Sequence, residues 1–277
     1  MNDEDVAGRD GKSEAGMKKI FTIRDRTDQR VHMWNARRIE EEVGACSDRA
    51  IAKYFLDYLP KDAPILEAGC GLGAWVVYLS ERSYDVFGVD DDLQLIERLK
   101  EWKPSLKVGW GDVRKLPYAD NALGAVISLG VVEHFEDGCN DAMIEAHRVL
   151  RPGGLLFFSV PMDNLFRKAF AHPMRSLYIK WRKARGDSVH FAEYRFSRKE
   201  AEALLREYGF ELILTTWDDF SGKDRSLGIW ADFPPLQATS LYALNPAGRM
   251  TAILLNFISR WIACSGIFCI GRKRQAL

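Results

Sequence analysis

The stretch Ile65-Leu66-Glu67-Ala68-Gly69-Cys70-Gly71-Leu72-Gly73 constrains the fold more than any other part of the 277-residue chain. A short apolar strand runs into an acid and then into three alternating glycines. Glycines let a backbone turn sharply and let a ligand approach where a Cβ would clash. The amides that open the following helix can donate to an electron-rich ligand. The stretch therefore reads as the entrance of a nucleotide-type cofactor site at the edge of an α/β sheet.

The sequence on either side supports such a sheet. Strand-like runs at Asp85–Val89, Leu106–Gly109, Ala125–Leu129 and Leu155–Val160 alternate with helical patterns at Trp75–Glu81, at Leu93, Leu95, Ile96 and Leu99, and at Met143, Ile144, Val149 and Leu150. Alternation of this kind predicts an α/β fold: a doubly wound, mostly parallel seven-stranded sheet with helices on both faces. Ligands then bind beyond the carboxyl ends of the strands. Upstream, Asp48 is placed to cap a helix carrying Ile51, Tyr54, Phe55 and Tyr58. Insertions follow strands five and six, at about 161–196 and 217–263. Between them Ser197-Arg198-Lys199-Glu200 is a capping box, Gly209 suits a left-handed cap, and Phe210–Thr216 is strand six. Ile267–Ile270 is the last strand. Residues 1–30, and most clearly the polar first 17, read as a disordered tail. Residues 31–277 read as a single domain whose cofactor half lies at about 48–160.

Bulk properties narrow the function classes. Lys+Arg and Asp+Glu are both 39, so no global charge argues for a nucleic-acid partner. The five cysteines, Cys46, Cys70, Cys139, Cys264 and Cys269, form no C-x-x-C pair. This argues against a structural metal site and against a disulfide framework, and it fits a reducing, cytoplasmic setting. The acidic start, Met1-Asn2-Asp3-Glu4-Asp5, lacks the apolar core of a signal peptide. Met250–Gly271 is apolar, but Arg260 at its middle and a break at Ser265-Gly266 favour a helix and then a strand over a membrane span.

Two cofactor classes compete for the glycine loop. Gly69, Gly71 and Ala74 satisfy the dinucleotide pattern G-x-G-x-x-G/A, which would make the chain an NAD(P)-dependent oxidoreductase. The second pattern is Glu67-x-Gly69-x-Gly71-x-Gly73 after Ile65-Leu66, with Gly88-Val89-Asp90 ending strand two and Gly111-Asp112-Val113 following strand three. Ser128-Leu129-Gly130-Val131-Val132-Glu133-His134 follows strand four, and Leu150-Arg151-Pro152-Gly153-Gly154 precedes strand five. In this order the set resembles the class I (Rossmann-like) S-adenosylmethionine-dependent methyltransferases.

The resemblance spans about residues 48–160 and implies a methyl-transferring enzyme that releases S-adenosyl-L-homocysteine. It implies cofactor contacts from Glu67, Gly69, Cys70, Gly71, Gly73, Asp90, Asp91, Asp112, Val113, Ser128 and Leu129. Asp90 would hold the ribose hydroxyls and Asp112 would face the adenine amino group. An acid at Glu67 suits a cationic methionine tail and would repel a pyrophosphate. The chain departs from the family pattern where Asp91 and Asp92 stand in place of an apolar residue that packs on adenine. A methyltransferase-like domain that binds the cofactor as a scaffold, without catalysis, is a third reading.

The acceptor is expected to be a small molecule, anionic or partly apolar, methylated by in-line transfer. His134, His190 and Tyr194 are the candidate proton acceptors, imidazole being the group that exchanges protons near neutrality. The insertions are expected to choose the acceptor. Residues 167–185 hold Arg167, Lys168, Arg175, Lys180, Arg182, Lys183 and Arg185 with no acid, interleaved with Phe170, Leu177, Tyr178 and Trp181. This segment reads as a solvated helix face, as a lid over an anionic substrate, or as a contact for an anionic surface. The run Met250, Ile253, Leu254, Phe257, Ile258, Trp261 reads as core, as a homodimer face, or as the wall of an apolar acceptor site.

Overall fold

A computed structural model describes residues 16–25, 34 and 37–274. Its strands in chain order are β1 (Lys18–Thr22), β2 (Ile65–Ala68), β3 (Val86–Asp90), β4 (Val108–Trp110), β5 (Leu123–Leu129), β6 (Leu150–Pro161), β7 (His190–Arg195), β8 (Phe210–Asp218) and β9 (Gly266–Lys273). Seven of them form one sheet in the order β4-β3-β2-β5-β6-β9-β8. The pairs β4/β3, β3/β2, β2/β5 and β5/β6 are parallel, and β9 runs antiparallel to both neighbours. This is the doubly wound, mostly parallel sheet that the strand–helix alternation predicts.

The period-two geometry of strands sorts the apolar residues onto two faces. Ile65, Ile127, Phe157, Phe268 and Ile270 face one side, packed against Phe55, Trp75, Ile96 and Leu99 from the helices Ala52–Tyr58, Ala74–Ser80 and Leu93–Trp102. Leu66, Val126, Leu156, Phe158 and Cys269 face the other, against Met143, Ala146, Ala201 and Leu205 of Asn140–Val149 and Arg198–Glu207. Both faces are therefore covered, as a parallel sheet requires. Phe55 is fully buried and meets Trp75 edge-on at 4.7 Å and Phe157 at 5.3 Å.

The local signals come through where they depend on adjacent residues. Ser197 and Glu200 form a complete capping box, and Gly209 is left-handed at φ 81°. Met250–Gly271 is a helix followed by a strand, within the elements Pro246–Ile258 and Gly266–Lys273. No helix among the described residues is long and apolar enough to cross a membrane.

Three expectations are corrected. Lys18–Thr22, read as part of a disordered tail, forms β1 and pairs antiparallel with β7, joining Lys18 to Arg195 and Thr22 to His190. Five residues with one buried apolar side chain, Ile20, form a strand only because a partner far along the chain supplies the hydrogen bonds. The remainder of residues 1–30 lies largely outside the described residues. Asp48 caps no helix; it accepts an ion pair from Arg225 at 3.0 Å, and the helix from Ala52 starts without a side-chain cap. Strand three is Val108–Trp110, two residues later than Leu106 suggests.

Candidate active site

The carboxyl ends of four adjacent parallel strands define the site. Gly69, Asp91 and Gly130, just after β2, β3 and β5, and Asp112, two residues past β4, all line one cavity of about 1500 Å³. This is the crevice where a doubly wound sheet reverses its strand order, the general ligand position in such folds. The volume exceeds the roughly 300–1,000 Å³ of a typical small-molecule pocket, leaving room for two molecules side by side.

The floor is built by the glycine loop. Gly69, Gly71 and Gly73 all have positive φ, at 80°, 52° and 63°. A Cβ on Gly69 would lie 2.5 Å from Val131 Cγ2, and one on Gly71 would lie 2.8 Å from the Trp34 ring. Both positions thus need glycine for conformation and for close approach. The Gly71 amide donates to Asp90 Oδ2 at 2.8 Å, and the Asp92 amide donates to Asp90 Oδ1 at 3.0 Å. These bonds fix the Asp90 carboxylate at the end of β3, in the cavity wall. Asp92 caps the helix Leu93–Trp102 by accepting from Gln94 and Leu95, which accounts for one of the two acids standing where an apolar residue is expected. Asp91 lines the cavity.

The other expected cofactor residues separate into lining and support. Asp112 and Val113 line the cavity. The Asp112 carboxylate is held in a forked pair with Arg114, at 3.1 Å from Nε and 2.7 Å from Nη2 to its Oδ2. Glu67, Cys70, Gly71, Gly73, Ser128 and Leu129 do not line the cavity. Glu67 alternates onto the face of Ile65, is buried, and accepts the Val76 amide at 3.1 Å under the loop. Burial and the nearby Asp90 charge push its carboxyl up to about 8. Cys70 is buried, and burial raises its thiol well above the usual range, so it is no thiolate nucleophile. Gly130 and Val131, the next two residues after Leu129, line the cavity.

The roof comes from the first insertion and the N-terminal segment. Phe21 and Thr22 of β1, His190 to Glu193 of β7, and Met174, Arg175, Tyr178 and Ile179 of the helix His172–Ala184 line it. His134 sits opposite, in the short helix Val132–His134. Its Nδ1 lies 2.9 Å from the Ala192 carbonyl oxygen. A carbonyl only accepts, so Nδ1 carries the proton and neutral His134 keeps Nε2 as an acceptor. His190 also lines the cavity. Tyr194 does not: it is buried, and its hydroxyl donates to the Glu136 carbonyl at 2.8 Å. The expectation that Tyr194 exchanges a proton with substrate is therefore corrected: a register shift at Ala192 breaks the strand alternation, and Tyr194 packs in the core with its hydroxyl already bonded.

Two buried carboxylates near the roof behave in opposite ways. Glu133 has no hydrogen-bond partner for its Oε2 among the described residues, and burial pushes its carboxyl up to about 7. Burial would also raise Asp232, but Arg167 at 2.5 Å and Arg195 at 2.9 Å hold it well below the usual carboxylate range. This triad ties the first insertion to the second, since Arg167 also donates to the carbonyls of Met162 and Ser265.

Acids outnumber arginines in the lining: Asp90, Asp91 and Asp112 gather at the floor, with Glu136, Asp137 and Asp141 beside His134. Such a cavity favours a cationic ligand over a pyrophosphate. Trp34, Arg175 and Glu193 were not singled out as site residues from the sequence. Glu193 and Arg175 lie in the segments named as acceptor-choosing, but nothing local distinguishes them from solvated residues.

Comparison with known proteins agrees with this geometry. A family profile described as "Methyltransferase domain" matches residues 66–158. A "probable S-adenosylmethionine-dependent methyltransferase" of Mycolicibacterium smegmatis is 32% identical over 116 residues, 42% of this chain and 45% of that protein. One of the same description from Mycobacterium tuberculosis is 32% identical over 42% of each chain. A solved structure from Methanosarcina mazei, described as an S-adenosylmethionine-dependent methyltransferase, superposes with a TM-score of 0.56 at 18% identity, covering 80% of this chain and 98% of that one. That likeness speaks to the fold. The chain spans less than half the length of these two curated relatives. With the sheet order and the glycine loop, these matches show that residues 66–158 are similar to a class I S-adenosylmethionine-dependent methyltransferase domain, whose cofactor is S-adenosyl-L-methionine.

Proposed function

We propose that this protein transfers a methyl group to a small-molecule acceptor held between the floor loop and the roof, with His134 receiving the acceptor's proton. One observation carries the reading: a histidine with a fixed tautomer shares a cavity with Gly69, Asp90 and Asp112. When bound, S-adenosylmethionine supplies an electrophilic methyl group on a sulfonium. The chain must then position, neutralise and exclude water.

Asp90, held rigid by two amides, is placed for the ribose hydroxyls, and Val113 and Phe135 offer apolar surface for the base beside Asp112. The acid-rich floor favours the cationic donor. Glu67 acts beneath the loop, holding the start of the helix Ala74–Ser80 in place. Holding two reactants in line is worth about 7–11 kcal/mol of barrier, and a positioned base adds roughly 10²–10⁴-fold. His134 Nε2 is the group able to accept a proton as the acceptor's lone pair engages the methyl carbon. The Ala192 contact takes up Nδ1, so Nε2 is the ring nitrogen turned to the acceptor.

The test uses the full chain, methyl-labelled donor and a fractionated cell extract. Labelled product is expected, and His134→Ala is expected to lower its rate by roughly 10²-fold or more while affinity for S-adenosylhomocysteine stays unchanged. Homocysteine-nucleoside binding without any labelled product would favour the scaffold reading. Binding of NADH in place of the sulfur nucleotide would favour the oxidoreductase reading.

A further inference from the structure

The helix His172–Ala184 has one side in the cavity roof, and none of its residues is buried. Met174, Leu177 and Trp181 recur at i, i+3 and i+7 and are 64%, 72% and 50% exposed. The helical turn before them, which includes a π segment over Arg167–Ala171, adds exposed Leu165 and Phe170. Apolar side chains aligned this way form one continuous stripe.

Lys180 and Arg185 flank the stripe, and Lys183 lies on the far side of the helix. Lys180, Lys183 and Arg185 make no ion pair among the described residues, whereas Lys168 pairs with Asp163 and Arg182 with Asp187. Arg185 lies over the Trp181 ring, 4.7 Å from its centroid. Residues 167–185 contain no Asp or Glu. An apolar stripe bearing tryptophan and flanked by unpaired Lys and Arg matches the chemistry of a bilayer surface with anionic headgroups. A second copy of the chain matches it poorly. A two-fold contact through this helix would set the same cations against each other.

We propose that this helix docks the protein on bilayers containing anionic lipid. Leu165, Phe170, Leu177 and Trp181 enter the boundary between headgroups and acyl chains, and Lys180 and Arg185 meet the lipid phosphates. Met174 belongs to both the stripe and the cavity lining, so the docked face adjoins the acceptor end of the site. The docking itself does not depend on the methyl-transfer reading. The helix Pro246–Ile258 also exposes Leu254 and Phe257, but it lacks a comparable basic flank and serves as the control.

The full chain is sedimented with vesicles of phosphatidylcholine alone and of phosphatidylcholine mixed with phosphatidylglycerol. Partitioning is expected to be at least about tenfold stronger on the mixed vesicles and to weaken with salt. Leu177→Glu/Trp181→Glu is expected to bring it to background with an unchanged melting temperature, since neither residue is buried. Leu254→Glu/Phe257→Glu is expected to leave it intact. Equal binding to both vesicle types, indifference to the first double variant, or loss only in the second would overturn the proposal. So would self-association of the free protein that the first variant abolishes while vesicles fail to bind.

Discussion

The floor of the cavity and its roof are built by different physics. The floor, residues 65–160, is a hydrophobic sandwich: fully buried Ile65, Leu66, Val126, Ile127, Phe157 and Phe158 hold strands whose ends turn through glycines. The roof and the segments that anchor it are held by buried ions and hydrogen bonds. Asp232 binds Arg167 and Arg195. Asp218 binds Arg49 at 2.5 Å and accepts from Ser159 at 2.6 Å. Asp219 collects the amides of Phe220, Leu227, Gly228 and Ser265. The roof also leaves large apolar side chains in solvent, where the floor leaves few. Apolar packing fixes a site that must always be the same shape. A polar scaffold that presents apolar side chains outward suits a region whose contacts are made with something else.

That contrast can be broken at Asp232. Asp232→Ala should leave the buried Arg167 without a carboxylate and Arg195 with Glu193 alone, and cost about 3–5 kcal/mol, read by urea unfolding. Affinity for S-adenosylhomocysteine should change little if floor and roof are independent. A large fall in affinity together with stability would mean that they are one unit.

Gly71→Asp attacks the floor instead. A side chain there meets Trp34, requires φ near 52°, and adds an acid close to Asp90. Calorimetry should show S-adenosylhomocysteine binding weakened by about 100-fold or more, from strain of roughly 1–3 kcal/mol plus the clash. Unchanged affinity would remove the loop from the site.

Glu133 probes the seam between the two regions. Its folded-state carboxyl, at about 7, lies above the ordinary 4.5, so the folded state holds the proton longer than the unfolded chain. Stability from this group is therefore lost as pH rises from about 4.5 to about 7, by up to about 3 kcal/mol. Glu133→Gln should flatten that slope in melts across the window and stabilise the protein above it. A slope equal to that of the unaltered protein would show that Glu133 is ionised in the fold.

The smallest effect is expected at Asp48, whose pair with Arg225 is half-exposed. Asp48→Ala should cost less than about 1 kcal/mol in unfolding experiments. A larger loss would mean that this contact, rather than the buried ions, holds the second insertion down.

The sheet and the floor were legible because their signals are contiguous. Strand, glycine turn and helix follow one another within ten residues at 65–74, Asp90 ends β3, and Asp112 stands two residues past β4. Even here the motif did not decide everything: the pleat turns Glu67 to the core, and the cavity lining after β5 begins at Gly130 and Val131. The roof was legible only as a basic, aromatic interruption. His134 was visible as a candidate, but not the Ala192 carbonyl, 58 residues away, that fixes its proton. Tyr194 looked as suitable as His190, since a regular strand sets both on one face; the register shift at Ala192 leaves His190 at the cavity and buries Tyr194.

The sequence by itself determined the doubly wound fold and the donor loop, because hydrophobic period, glycine position and strand-end acids are properties of neighbours. Tertiary structure alone decided that Lys18–Thr22 pairs with His190–Arg195, that Asp232 joins Arg167 to Arg195, and which side of the helix His172–Ala184 meets the cavity. Those outcomes depend on partners distant in the chain, whose mutual hydrogen bonds and charges have no periodic trace in any local stretch.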